Sequence, residues 1–279
     1  MCSPEVAKIV RERIQTEGMS RRGFLRLGGL ITAGAAAASL TPTVRRAQAQ
    51  SMGEVIDLTH VFGLGSPVYV TSDRPSKETT VTVENDGFYI QRWSFGEHTG
   101  THVDIPAHFI AGGTTVDNYE AGLLVSPAVV IDISARAAEE PNTMLNVDDI
   151  MAWESANGEI PAGAMVCMYS GWDAKWSDFD AFRGDPGDGS LNFPGFGIDA
   201  AEFLLNERDI HGIAVDTLSL DPGNSQTFDV HVAMLAAGKY GVENAANLAS
   251  LIGRQATVVV GVPRWEEGSG GPCRMLAMA

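Results

Sequence analysis

The stretch SPAVVIDIS, residues 126–134, is a continuous apolar run, and it predicts a strand that is buried on both faces. Two runs of the same kind, AGAMVCMYSGW (162–172) and HGIAVDTLSL (211–220), predict two more buried central strands. Strands of this length and polarity are typical of a sheet covered by other elements on both sides. These three runs therefore indicate a layered fold built around one sheet.

Segments on either side of these runs complete the predicted fold. Further strands are predicted for residues 54–60, 77–85, 87–96 and, as the last strand, 256–264, and helices for residues 147–156, 198–206 and 231–238. Asn146 is the predicted N-cap of the first helix. Residues 183–197 are rich in Gly, Pro and Asp and predict a long ordered loop. Because predicted strands outnumber helices, we expect an α/β fold with a mixed, strand-rich sheet and flanking helices.

The first 49 residues have the features of an export signal. SRRGFLR (20–26) precedes an apolar run of fourteen residues, 27–40, which is shorter than the roughly 20 residues of a membrane span. Ala47-Gln48-Ala49 matches a small-x-small cleavage site. The segment resembles a twin-arginine signal, which implies a periplasmic protein without a stable membrane anchor after cleavage. Residues 50–279 are then expected to form a single hydrolase domain.

Charge and cysteine content exclude several classes of protein. The chain has a net charge of -16, and without residues 1–49 it keeps 11 basic and 32 acidic residues, a net charge of -21. Such a surface repels phosphate backbones and anionic lipid, so we expect no nucleic-acid partner. Only Cys167 and Cys273 follow the signal. They leave open one disulfide or two free thiols.

HTGTHVDIPAH, residues 98–108, holds three of the six histidines of the chain. Imidazole and carboxylate are preferred ligands of Zn, Mn and Fe(II), so His98, His102 and Asp104 are candidate metal ligands. On a strand the three side chains share one face, but a straight strand would separate the two histidine Cα atoms by about 13 Å. Gly100 tolerates the positive φ that a bend requires. The pattern predicts a curved strand-to-loop segment that holds three ligands.

His108 follows four residues after Asp104, beyond Pro106, which fixes the chain direction. It is either a fourth ligand or a base that transfers protons, since histidine titrates near neutrality. We assign His108 as the catalytic residue. The alternative for a single histidine is a hydrogen-bonded core residue.

The sequence HTGTHVDIPAHF resembles the His-x-Gly-Thr-His-x-Asp-x-Pro-x-His motif of the metal-dependent cyclase family, which includes bacterial kynurenine formamidases and isatin hydrolases. Other blocks resemble the family in the same order: VIDLTH (55–60), SGWDAKW (170–176), AVDTLSLDPG (214–223), FDVHVAMLAAGKYGVENAANL (228–248) and GSGGPCRMLAM (268–278). The resemblance covers nearly all of the chain after the signal. It implies the swivelling β/β/α fold of that family.

The resemblance also implies the rest of a metal centre. In the family, a histidine at the start of a helix and a glutamate twelve residues later contribute to the centre, and here they are His231 and Glu243. The implied cofactor is Mn or Zn, with one or two ions per subunit and Asp104 bridging where there are two. Family members associate as homodimers or homotetramers.

The implied activity is metal-dependent hydrolysis of an amide C–N bond, in an aryl formamide such as N-formylkynurenine or a cyclic amide such as isatin. Water activated by the ion would attack the carbonyl, and His108 would transfer the proton. The sequence has no Gly-x-Ser-x-Gly elbow, P-loop or dinucleotide fingerprint. The alternatives are a periplasmic lactone or ester hydrolase of the same family and a non-catalytic metal- or solute-binding protein.

Aromatic residues near the predicted ligands suggest a substrate pocket. Phe62, Trp93, Phe109 and Trp172, together with His60, are the candidates. Flat aromatic or cyclic small molecules stack on such rings. The alternative role of each ring is core packing.

Overall fold

A computed structural model describes residues 53–279, and the predicted export signal, residues 1–49, lies outside this range. The described residues fall into two compact units. One is residues 77–94, and the other comprises residues 53–76 and 95–279.

The strands of residues 53–279 are β1 Val55–Asp57, β2 Ser76–Val81, β3 Ile90–Ser94, β4 His102–Asp104, β5 Val125–Asp132, β6 Met144–Leu145, β7 Ala164–Tyr169, β8 Gly195–Phe196, β9 Ile210–Val215, β10 Tyr240–Glu243, β11 Thr257–Gly261, β12 Gly270–Pro272 and β13 Arg274–Met278. The α-helices are α1 Val83–Asp86, α2 Ser134–Glu139, α3 Val147–Asn157, α4 Phe179–Arg183, α5 Ile198–Glu207 and α6 Asp229–Ala236. Short 3-10 helices span Thr71–Asp73, Pro106–His108, Ala121–Leu124, Trp172–Lys175 and Leu248–Leu251. None of the helices in this part of the chain has the length and apolarity that a membrane span needs.

A nine-stranded sheet organises the larger unit, in the order β1-β13-β11-β5-β7-β9-β10-β4-β12. The four central strands β5, β7, β9 and β10 are parallel. Antiparallel strands extend the sheet on both sides, from β11 outward and from β4 outward. This arrangement confirms the predicted α/β fold with a mixed sheet.

The central strands are buried on both faces, as the apolar runs predict. Along β7, Val166 and Met168 belong to a core cluster that includes side chains of α3, α5 and α6. The alternate residues Met165 and Cys167 belong to a second cluster, built with residues of β4, β10, β11 and β13. Successive side chains of a strand point to opposite faces, so each face of the sheet has its own core.

The predicted helices are present with close to their expected bounds. Asn146 forms a capping box at the start of α3: its side chain accepts a hydrogen bond from Asp149 N, and the Asp149 carboxylate accepts one from Asn146 N. This reciprocal pair satisfies two backbone donors that a helix end leaves free. α6 ends before Gly238, whose φ of +74° provides the left-handed turn that the glycine predicts.

The strand predicted for residues 77–85 is wrong at its C-terminal end. β2 stops at Val81, and residues 83–86 form α1 in the smaller unit. Thr82 caps this helix by accepting a hydrogen bond from Asn85 N, and Gly87 ends it with a φ of +80°. Local capping therefore outweighs the β propensity of the valines and threonines.

The strand predicted as the last one is followed by two more. β11 lies within the predicted range 256–264, but β12 and β13 come after it. β12 was not predicted because it contains two glycines, and glycine is generally unfavourable in strands. A Cβ on Gly270 would lie 2.8 Å from His98 Cε1, and one on Gly271 would crowd the Trp265 ring. These glycines therefore mark close approaches to neighbouring side chains, not a turn.

Candidate metal centre

The ligand-bearing segment is the curved strand-to-loop that the sequence predicts. His102 and Asp104 occupy alternate positions of β4 and are buried on one face. Gly100 has a φ of +73° and bends the chain between His98 and β4. The bend brings His98 Nδ1 to 2.6 Å from Asp104 Oδ1. All three predicted ligands of this segment therefore converge.

Glycines in the neighbouring strands leave room around the Asp104 carboxylate. The register of β10 against β4 places Glu243 opposite His102 and Gly241 opposite Asp104. On the other side of β4, Gly270 also lies opposite Asp104. Directly opposite residues have side chains on the same face, so the carboxylate stands between two positions without side chains.

His231 and Glu243 join the same cluster. His231 Nε2 lies 3.4 Å from Asp104 Oδ2 and 3.0 Å from Glu243 Oε1, and His102 Nε2 lies 3.2 Å from Glu243 Oε2. His231 lies in the first turn of α6, and Glu243 is the last residue of β10. The structure thus brings together the five residues that the resemblance implies as ligands, although 145 positions separate His98 from Glu243.

The cluster holds strongly perturbed titratable groups. Burial by itself lowers the pKa of His102, but the carboxylates of Asp104 and Glu243 outweigh it and raise this pKa to about 10. Burial likewise lowers the pKa of His231, but the neighbouring carboxylates of Asp104, Asp221 and Glu243 outweigh it and raise this pKa. Burial raises the pKa of Asp104, yet the adjacent histidines lower it overall. Two buried carboxylates thus demand compensating positive charge.

These residues fit a divalent metal ion. Asp104 Oδ2 is buried without a hydrogen-bond partner, which is costly for a carboxylate oxygen unless a cation occupies its free side. Two groups have ligand atoms within 4.8 Å of one another: His98, Asp104 and His108, and His102, Asp104 and Glu243. Asp104 belongs to both groups, so it can bridge two ions. Nitrogen and oxygen ligands of this kind suit Zn and Mn.

His108 lies beside the cluster and lines a cavity of about 280 Å³. Its ring stacks on that of His98, with centroids 3.6 Å apart. Burial lowers the pKa of His108 to about 4, against the opposing influence of Asp104. The ring is therefore neutral at pH 7, and it can accept a proton or act as a ligand.

The cavity is lined by four of the five predicted metal ligands, by His108, by three aromatic rings and by five further residues: Val68, Tyr69, Val70, Asp73, His98, His102, His108, Phe109, Leu218, Ser219, Phe228, His231 and Glu243. The Phe109 ring lies 5.7 Å from that of Phe228, and the Phe228 ring lies 5.8 Å from that of Tyr69. These three rings offer flat apolar surfaces directly above polar groups, as sites for aromatic ligands do.

Of the predicted pocket residues in the larger unit, Phe109 lines this cavity and the others lie elsewhere. Trp172 is 3% exposed, packs in a separate apolar cluster and donates a hydrogen bond from Nε1 to Phe182 O. His60 stacks on Trp176 at 4.1 Å, and the Phe62 ring meets Phe95 edge-on. Packing contacts occupy the rings of Trp172, Phe62 and His60, which are not among the residues that line this cavity, and their pocket role stays a prediction.

Trp93 lies on β3 in the smaller unit. There the Lys77 Nζ atom lies 5.2 Å from the Trp93 ring centroid, within the range of a cation–π contact.

Comparison with known proteins agrees with this geometry. Residues 56–222 match the Cyclase family model, described as "Putative cyclase". An isatin hydrolase from Roseibium aggregatum is 33% identical over 242 residues, which cover 81% of this chain and 91% of that protein. The chain belongs to the cyclase family. The family membership that the sequence motifs predict is thereby confirmed.

Two further cyclase-family relatives extend the comparison. The solved structure of isatin hydrolase A from Ralstonia solanacearum has a TM-score of 0.78 and 34% identity, and it covers 86% of this chain and 99% of its own. Kynurenine formamidase from Bacillus mycoides is 26% identical over 170 residues, which cover 61% of this chain and 71% of that protein. The fold of this cyclase-family chain is thus the fold of solved family members.

Several residues of this cyclase-family site were not predicted from the sequence. Asp221 accepts hydrogen bonds from His231 Nδ1 and from the backbone of α6, and Tyr69, Ser219 and Phe228 line the cavity. Asp221 lies in the block 214–223, which the resemblance singles out without assigning roles. The feature of the sequence that could have identified Phe228 is its position three residues before His231. A side chain at the start of that helix faces the same cavity.

Proposed function

We propose that this cyclase-family protein is a metal-dependent hydrolase that cleaves the amide C–N bond of a small aromatic formamide or of a cyclic amide such as isatin. The observation that carries the proposal is the convergence of His98, His102, Asp104, His231 and Glu243 beside a cavity with aromatic lining residues. The relatives named isatin hydrolase and kynurenine formamidase support this reaction class. The protein is accordingly a hydrolase that acts on non-peptide C–N bonds and takes a small-molecule substrate.

The ligand side chains and His108 have different roles in the proposed reaction. A bound divalent ion supplies Lewis-acid polarisation of a carbonyl and makes water more acidic. Neutral His108 accepts the proton of the attacking water on a ring nitrogen and delivers it to the departing amide nitrogen. Its stacking on His98 and its edge-on contact with Phe109 at 4.7 Å fix the ring plane. His98, His102, Asp104, His231 and Glu243 would hold the ion, and His108 is the group to which we assign proton transfer.

The cavity wall favours flat substrates. Tyr69, Phe109 and Phe228 present aromatic rings on the approach to the cluster. An aryl ring placed among them would bury apolar surface and gain offset or edge-on contacts, each worth about 0.5–1.5 kcal/mol beyond burial. A small aliphatic amide gains neither. We therefore propose an aromatic amide as the substrate class.

The test is a substrate screen with defined metal content. The purified chain is stripped with a chelator, reloaded with Mn or Zn, and assayed with N-formyl anilines, isatin, small lactams and small lactones. We expect no turnover by the stripped protein, restored turnover after reloading, and a preference for the aromatic amides. Turnover by metal-free protein would contradict the metal role, and a preference for lactones would favour the ester-hydrolase alternative.

We also propose that the chain is exported by the twin-arginine route and works in the periplasm as a homodimer or homotetramer. The proposal is supported by Arg21 and Arg22, the apolar run after them and the Ala47-Gln48-Ala49 site. Replacing both arginines by lysine should leave the unprocessed chain in the cytoplasmic fraction. The parent chain, by contrast, should appear in the periplasmic fraction in a shortened form. Light scattering of the purified protein gives the subunit number. Equal periplasmic amounts of the parent chain and of the lysine variant would contradict the export proposal.

A further inference from the structure

A chain of hydrogen bonds connects Glu97 to His98 through a residue 171 positions further on. His98 Nε2 lies 2.8 Å from Ser269 Oγ, and Ser269 Oγ donates to Glu97 Oε2 at 2.6 Å. Ser269 N donates to the same carboxylate oxygen at 3.1 Å. Glu97 therefore receives two hydrogen bonds from a single residue, and that residue also contacts the ring of a predicted ligand.

The number of available protons decides the direction of these bonds. A serine hydroxyl has one proton, and an ionised carboxylate can only accept. Because Ser269 Oγ donates its proton to Glu97, it must accept the hydrogen bond from His98 Nε2–H. His98 Nδ1, which lies 2.6 Å from Asp104 Oδ1, is then the ring nitrogen that faces the cluster and would bind an ion.

The other two histidines of the centre are held in the opposite sense. His102 Nδ1 donates to Gly100 O at 2.9 Å, and His231 Nδ1 donates to Asp221 at 2.6 Å. In both of them Nε2 faces the carboxylates of Asp104 or Glu243. His98 thus presents a different ring nitrogen to the centre, and its anchor differs as well.

Glycines around Ser269 make the contact feasible. A Cβ on Gly268 would lie 3.0 Å from Glu97 Oε1, and a Cβ on Gly270 would lie 2.8 Å from His98 Cε1. Ser269 O also accepts a hydrogen bond from Ile105 N at 3.0 Å, which ties this segment to the end of β4. The GSGG stretch, residues 268–271, is therefore shaped to bring one hydroxyl between His98 and Glu97.

His98 needs such an anchor more than the other histidines do. Its side chain is 22% exposed, against 3% for His102 and 4% for His231. It also precedes Gly100 and lies outside β4, so strand hydrogen bonds do not fix its backbone. Ser269 adds to the Asp104 contact and to the stacking on His108 by holding Nε2, the ring nitrogen that faces away from Asp104.

We propose that Ser269 and Glu97 are positioning residues for the metal centre: they hold His98 as the Nε2–H tautomer with Nδ1 directed at Asp104. The inference rests on the proposed metal centre. Partners of this kind commonly contribute a factor of about 10–100 to metal affinity, since they fix the tautomer and orientation of the ligand.

The first test compares metal affinities by isothermal titration calorimetry with Mn and Zn. Ser269→Ala and Glu97→Gln should each weaken binding about 10–100-fold, and Ser269→Thr, which keeps the hydroxyl, should restore most of it. Ser250→Ala is the matched control, because the Ser250 hydroxyl donates a 2.6 Å hydrogen bond to Asn247 O within its own 3-10 helix. Its metal affinity should equal that of the parent chain.

The second test reads the tautomer directly. In the zinc-loaded protein, long-range ¹H–¹⁵N NMR spectra of the histidine rings should show coordination of His98 through Nδ1 with a proton on Nε2. In Ser269→Ala this pattern should be lost or broadened. The melting temperature of the metal-free protein should be the same for Ser269→Ala and Ser250→Ala, which separates positioning from a general loss of stability.

The outcomes distinguish this inference from the proposed function. A parent chain that binds neither Mn nor Zn would overturn the metal centre itself. A parent chain that binds metal as tightly as Ser269→Ala does, or in which His98 coordinates through Nε2, would overturn the positioning role alone.

Discussion

At the scale of single residues, the candidate site contains histidines in which one ring nitrogen donates a hydrogen bond and the other faces the candidate metal centre. One nitrogen of His102 donates to a backbone carbonyl, and one nitrogen of His231 donates to the Asp221 carboxylate. The second nitrogen of each ring faces the carboxylates of Asp104 and Glu243. Anchoring one nitrogen of a ring orients the other, so these hydrogen bonds direct the second nitrogen of each ring at the candidate centre.

His108 should be needed for turnover more than for metal binding. It is predicted as the proton-transfer group, and such groups contribute about 100- to 10,000-fold to rates. We expect His108→Ala to lower kcat by about that factor while metal content, measured by atomic absorption, stays near that of the parent chain. The double readout also separates a hydrolase from a binding protein. Loss of both metal and rate would make His108 a ligand, as its place beside His98 and Asp104 also allows.

Asp221→Asn should weaken metal binding without unfolding the chain. The Asp221 carboxylate accepts from Val230 N on Oδ1 and from His231 N and Nδ1 on Oδ2, and the change removes its charge and leaves one of these two oxygens as an acceptor. A loss of about 10–100-fold in metal affinity is expected, measured by calorimetry. Asp178→Asn is the matched control, since Asp178 caps α4 in the same way at an exposed position. Equal affinities of the two variants would contradict the role of Asp221.

How much of the site the sequence predicts depends on the distance between residues along the chain. His98, His102 and Asp104 are recognisable together because their spacing within one segment suits one ion. His231 and Glu243 carry no local signal and come only from the family resemblance. Asp221 and Ser269 were not predicted, because their role depends on which distant side chain they meet after folding.

At the scale of secondary structure elements, the site depends on close packing of β4 against glycine-containing neighbours. Gly241 of β10 and Gly270 of β12 both lie opposite Asp104. A Cβ on Gly241 would lie 2.5 Å from the Leu220 side chain, and one on Gly270 would lie 2.8 Å from His98 Cε1. The close packing of the strands that position the ligands therefore depends on these two glycines.

Gly100→Ala should damage both stability and the metal centre. A side chain at a φ of +73° costs about 1–2 kcal/mol, and the new Cβ would lie 2.6 Å from Phe62 Cδ2. Gly112→Ala is a matched control, because Gly112 has a φ of +72° and open space around its Cβ position. We expect a larger loss of melting temperature for Gly100→Ala, together with weaker metal binding that Gly112→Ala does not show. Equal effects would mean that the bend does not position the ligands.

Element prediction succeeded where apolar runs are long and failed where elements are short. β5, β7 and β9 appear at the predicted runs because burial on both faces requires uninterrupted apolar sequence. β10 and β12, with four and three residues, were missed, and α1 was taken for a strand. In such short elements, neighbouring strands and capping side chains decide the conformation, and local propensity does not.

At the scale of the whole molecule, folding and metal binding are coupled. The candidate ligands come from residue 98 to residue 243, so the unfolded chain has no comparable site. A free ion concentration 100 times Kd should therefore stabilise the folded state by about 2.7 kcal/mol. We expect Mn or Zn to raise the melting temperature in differential scanning calorimetry and a chelator to reverse the shift. Asp104→Asn, which alters the central carboxylate, should show a much smaller shift; an equal shift would place the stabilising ion elsewhere.

The charge of the whole molecule should select substrates by their own charge. The chain has a net charge of -16, Asp73 lies at the cavity, and none of the described residues that line the cavity is Lys or Arg. At 0.1 M salt the screening length is about 10 Å, so added salt weakens long-range repulsion and attraction alike. As NaCl rises from low concentration to 0.2 M, kcat/KM should increase for 4-formamidobenzoate, decrease for an aminomethyl formanilide and stay constant for neutral formanilide. Asp73→Asn should reduce both slopes, and identical salt profiles for the three substrates would show that the acidic surface has no part in substrate selection.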